Sequence, residues 1–148
     1  MVNREASQAD PPGRAVGPRR GQGARAPGGA TYDLQDRLLK FTSRVVDVVE
    51  ALPATRVGNH IGGQLIRCGT SPLASYGEAQ AAESRADFVH KLKVGLKELR
   101  EVRVWLLLVQ RRSLAGPAAR LGPLVKECDE LISIFFSSIR TAQRHQRG

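Results

Sequence analysis

SRADFVHKLKVGLKELREVRVWLLLVQ, residues 84–110, is the stretch whose reading decides the fold. Phe88, Leu92, Gly95, Leu99, Val102, Leu106 and Val109 follow one another by steps of four and three. At about 100° per residue, those steps put every one of them on a single stripe of an α-helix. Ser84, followed three residues later by Asp87, makes a capping-box-like start. Gly116-Pro117 breaks the pattern on the far side.

Working outward, three more helical patterns appear. Upstream, Leu34, Leu38, Phe41, Val45, Val48 and Leu52 keep the same spacing until Pro53 stops it. Between them, about residues 56–82, Ile61, Leu65, Cys68, Tyr76 and Ala79 form the buried side of a helix. Gly58, Gly62, Gly63 and Gly69 lower its propensity, and Pro72 removes a backbone bond, so a kink is expected near Gly69–Pro72. Downstream, Leu121, Val125, Cys128, Ile132, Phe135 and Ile139 make a fourth stripe, with Pro123 in its first turn. Four stripes joined by short loops imply antiparallel neighbours, and no strand alternation competes with them. The fold class is all-α: an antiparallel up-down-up-down four-helix bundle over 31–143, between a tail at 1–30 and a basic end at 144–148.

Residues 1–30 combine Gly, Pro and Arg with almost no apolar bulk, so burial cannot offset the cost of ordering them. Disorder is expected there. The tail holds five arginines against Glu5 and Asp10, which leaves six of the nine surplus positive charges in the helical part. With a pI near 10.5, the chain suits anionic partners such as RNA, DNA or an acidic protein. No apolar leader follows Met1, and the longest apolar run, Val104–Val109, is far short of a membrane span. A cytoplasmic location without membrane association is expected.

Charge is sorted along the third helix. Lys93, Lys97 and Arg100 fall on one sector opposite the apolar stripe, and Asp87, Glu98 and Glu101 on another. With Arg67 and Arg85 they form the candidate phosphate-binding set, and Arg111, Arg112, Arg140, Arg144 and Arg147 could extend it. No aromatic interleaving supports base stacking, so the contact expected is electrostatic and weakly sequence-specific.

Two segments hold more apolar surface than one bundle core uses. Val104–Val109 surround the helix, and Leu131, Ile132, Ile134, Phe135 and Phe136 are similarly wide. Homo-oligomerisation is expected through the third and fourth helices, with Val104, Trp105, Leu108, Ile134 and Phe136 at the interface. A protein partner covering the same surface is the alternative.

Chemistry-bearing motifs are few. Cys68 and Cys128 fall in apolar helical positions and lack the companions a zinc site needs. Glu78, Glu83, Glu98 and Glu101 lack the Glu-x-x-His pairing of a di-metal bundle, so ion pairs across helices are expected and no metal or cofactor is called for. Gly62-Gly63-Gln64 matches the hydrolytic tripeptide of peptide release factors, but it lies inside a helical pattern rather than on a loop. Arg-x4-His occurs twice, as Arg85–His90 and Arg140–His145, and is similar to the short signature of the HEPN ribonucleases. The non-enzymatic reading is preferred.

Gln64, Arg67, Ser71, Tyr76, Glu78, then Ser84 and Phe88, then Leu96, Glu98, Leu99, Glu101 and Trp105-Leu106, stand in an order and spacing that resemble the bacterial four helix bundle protein family. That family is also called the 23S ribosomal RNA intervening-sequence protein family. The resemblance covers residues 33–143. Ser75 replaces the usual Asn, Ala79 stands where many members have Gly, and Pro72 occupies the Ile or Val position after Ser71. The resemblance implies an up-down-up-down bundle and, for members with known assemblies, a pentamer. Some members are encoded within ribosomal RNA genes. Related accessory proteins of diversity-generating retroelements bind nucleic acid and a reverse transcriptase through a basic surface. Most members have no established activity.

Overall fold

The computed structural model describes residues 29–146, and the tail expected before them lies outside the described residues. The four helices are α1 (Gly29–Ala51), α2 (Arg56–Gln80), α3 (Arg85–Arg111) and α4 (Gly122–Gln146), and a short 3-10 turn, Ala118–Leu121, leads into α4. No strand occurs among the described residues.

Local chemistry sets the boundaries. Thr55 caps α2, its hydroxyl accepting from the Gly58 amide at 3.1 Å, and Ser84 caps α3 by accepting from the Asp87 amide at 3.0 Å. The helix α3 ends before the expected Gly116-Pro117 break. Ser113 adopts φ 48°, and the amides of Ser113 and Leu114 donate to the carbonyls of Gln110 and Val109. That pair of bonds is a Schellman ending with serine at the position glycine usually takes. In α2 the helix is continuous through Pro72. At the other end of the chain α4 stays helical to Gln146, past the expected limit at 143.

Neighbouring helices run antiparallel. Going down α3, His60, Arg67 and Glu78 of α2 meet Trp105, Glu98 with Glu101, and Lys91. Likewise Cys128 of α4 donates to the Leu99 carbonyl at 3.3 Å, and Phe135 lies against Gly95. A Cβ on Gly95 would stand 2.6 Å from the Phe135 ring, and one on Gly69 2.6 Å from Val45, so these two glycines set how closely the helices approach.

The core is mostly aliphatic, with Leu38, Leu65, Leu92, Leu99, Leu106 and Leu131 fully buried around Phe41 and Phe135. Leu131 therefore belongs to the core rather than to the apolar surplus. Both thiols are buried and free, and burial pushes each up to about 12, which keeps them protonated and unreactive. No described helix is long and apolar enough to cross a membrane.

Candidate nucleic-acid interface

Ion pairs clip the bundle at its seams and engage half of the carboxylates among the described residues. Between α2 and α3, Arg67 donates to both carboxylate oxygens of Glu101 at 2.6 and 2.7 Å, to Glu98 at 3.3 Å and to Gln64 at 3.1 Å. Hydrogen bonding from Arg67 is the main cause holding Glu101 below the usual carboxylate range, and Trp105 adds to it. Trp105 also meets His60 edge-on, with ring centres 6.1 Å apart. On the same seam Lys91 pairs with Glu78 at 3.0 Å. The α1–α4 seam is closed by Arg37, which donates to Glu127 at 3.0 Å and to Glu130 at 2.8 Å. At the α3–α4 seam Arg103 pairs with Asp129.

The consequence lies on the outer face of α3 and α4. Lys93, Lys97 and Arg100, exposed and spaced four and three apart, have no carboxylate partner among the described residues. The three carboxylates of α4 are Glu127, Asp129 and Glu130, and all are already paired. Lys126 and Arg144 of α4 are exposed and make no ion pair among the described residues, and the Arg140 guanidinium lies 5.8 Å from the centre of the Phe136 ring. Like charges at Lys93 and Lys97 repel at i,i+4 and are relieved by a bound anion.

The structure thus brings Lys93, Lys97 and Arg100 together and leaves the other two expected phosphate ligands elsewhere. Arg67 sits in the α2–α3 seam. Arg85 lines a cleft of about 760 Å³ at the end of the bundle, with Glu83, Ser84, Phe88, Thr141 and His145. That cleft joins Arg85 of one Arg-x4-His copy to His145 of the other; His90 is exposed on α3, and Arg140 is stacked on Phe136.

The five expected interface residues divide as well. Val104 and Leu108, 64% and 39% exposed, continue the Lys93–Lys97–Arg100 row along α3 by steps of four. Trp105 turns to α2, Ile134 lines the crevice between α1 and α4, and Phe136 is 46% exposed on α4. Sequence reasoning missed Lys126 and the pairing of Phe136 with Arg140. The i,i+4 spacing of the latter was the available signal. The expected cross-helix ion pairs of Glu78, Glu98 and Glu101 are present, and Gly62-Gly63-Gln64 lies within α2.

Comparison with known proteins follows the same lines. The family model described as 23S rRNA-intervening sequence protein matches residues 31–137. A crystal structure of a protein of unknown function from the S23 ribosomal protein family of Bacteroides thetaiotaomicron VPI-5482 is similar, with a TM-score of 0.67 and 30% identity. The match covers 74% of this chain and 96% of that one. No curated protein matches.

Proposed function

The chain belongs to the 23S rRNA-intervening sequence protein family, and from that premise we propose that it is a non-catalytic module binding RNA, or another nucleic acid, through backbone phosphates. One observation carries the reading: Lys93, Lys97 and Arg100 share an exposed face from which the carboxylates have been drawn off into seams. Unpaired cations on one rigid helix attract a polyanion and release its counterions, with little dependence on sequence. Lys126, Arg140 and Arg144 widen the footprint across α4. The family name refers to 23S rRNA, which fits a polyanionic partner. The buried thiols suit a reducing cytoplasm.

Anisotropy of a labelled structured RNA at low salt tests this. Wild type binds and leaves the RNA full length, and the combined Lys93→Ala, Lys97→Ala, Arg100→Ala variant binds at least about tenfold more weakly. Absence of binding by wild type, or equal binding by the variant, contradicts the reading.

A second reading rests on Val104 and Leu108, a large apolar pair held in water one turn apart. It is self-association through α3, for which the family resemblance implies five copies. In the scaffold alternative a different protein covers the same pair.

A further inference from the structure

We propose that the α3–α4 face prefers single-stranded nucleic acid because an unpaired base stacks on Phe136. This rests on the phosphate-binding reading and specifies its substrate class. Phe41 and Phe135 are fully buried, whereas Phe136 holds nearly half of its surface in water. The Arg140 guanidinium lies over one face of its ring, 5.8 Å from the centre, so a base would stack on the opposite face.

The surroundings fit a nucleotide. A shallow depression of about 220 Å³ on α4 is lined by Phe136, Ser137, Arg140, Thr141 and Arg144. It offers a stacking surface, two guanidinium groups for phosphates and two hydroxyls for a base edge or a sugar. Its lining residues all belong to α4, and its Phe136 end is the one turned towards α3. Asp129 points to α3 through Arg103, and Phe136, seven residues or two turns later, lies on the same flank of α4. The register set by Gly95 against Phe135 puts Phe136 level with Lys93 and Leu96. Stacking on an aromatic ring is open to any unpaired base and closed to a base inside a duplex, so the ring separates the two kinds of strand.

The test compares a labelled oligo-uridine with a fully paired RNA duplex of equal length, using wild type, Phe136→Leu, Phe136→Trp and Lys97→Ala with Arg100→Ala. The expected result is that Phe136→Leu weakens oligo-uridine binding about tenfold and leaves duplex binding unchanged, with Phe136→Trp at least as tight as wild type. The Lys97, Arg100 variant should weaken both ligands. Equal oligo-uridine binding by wild type and Phe136→Leu overturns the stacking proposal and leaves the phosphate reading intact. So does an equal loss on both ligands. Binding of neither ligand by wild type overturns both. A fall in particle mass in Phe136→Leu would show that a second copy covers the ring, and also overturns the proposal. Exposure of Phe136 makes the leucine variant safe for folding, and a helical circular dichroism spectrum checks it.

Discussion

Arg67 stands 2.6 Å from Glu101 and 3.3 Å from Glu98, whereas Lys97, on the next helix, makes no ion pair among the described residues. The sequence presents both as cations on helices; only the crossing of α2 against α3 separates them. Arg67 was expected among the phosphate ligands because its partners lie more than thirty positions away in sequence, beyond what helical periodicity resolves. The account therefore expects Arg67→Ala to leave RNA affinity nearly unchanged and to lower the melting temperature slightly, by about 2 °C, as for an exposed pair. That loss has a pH signature. Because Arg67 depresses the Glu101 pKa in the folded state, the contribution is present above the ordinary carboxylate value and disappears as pH falls through the folded one. Melting curves of wild type and Arg67→Ala should be separated at pH 7 and converge as pH falls below the ordinary carboxylate range.

At the scale of elements, the stripes that periodicity picked out in α1, α2 and α3 are the ones that pack, because four-three spacing and burial are one geometric fact. In α4, by contrast, Leu124 and Leu131 take the buried places and leave Val125 and Ile132 half-buried. Less legible was how the surplus would divide. Leu131 turned inward with Phe135, while Val104, Leu108 and Phe136 stayed out, and the choice depends on where the neighbouring helix stands. The glycines show the same limit. Gly77 meets nothing within 4 Å, but a Cβ on Gly95 would lie 2.6 Å from the buried Phe135 ring and 3.4 Å from Ser75. Alanine gains about 1 kcal/mol of helix propensity at either position. Overpacking against a fixed ring costs about 1–3 kcal/mol, so it outweighs that gain only at Gly95. Denaturant titration should find Gly77→Ala more stable than wild type and Gly95→Ala less stable.

For the whole molecule, net charge announced an anionic partner but could not say which face meets it. In the proposed reading the ion pairs of the seams point to one face, by gathering acids away from the outer surface of α3 and α4. The apolar pair at Val104 and Leu108 continues the same row, so assembly and nucleic-acid binding would share α3. Light scattering should give a multiple of the 16.1 kDa chain mass for wild type and a smaller particle for Val104→Ser with Leu108→Ser. A monomer at micromolar concentration would remove the self-association reading without touching the basic face.

If Lys93, Lys97 and Arg100 contact phosphates, the salt dependence of binding reports those contacts. Affinity of wild type and of the triple alanine variant for one single-stranded RNA should be followed across a range of salt. Wild type should show a steep fall, and the variant a slope shallower by about 2, as three lost phosphate contacts require. Parallel slopes for the two proteins would contradict those contacts.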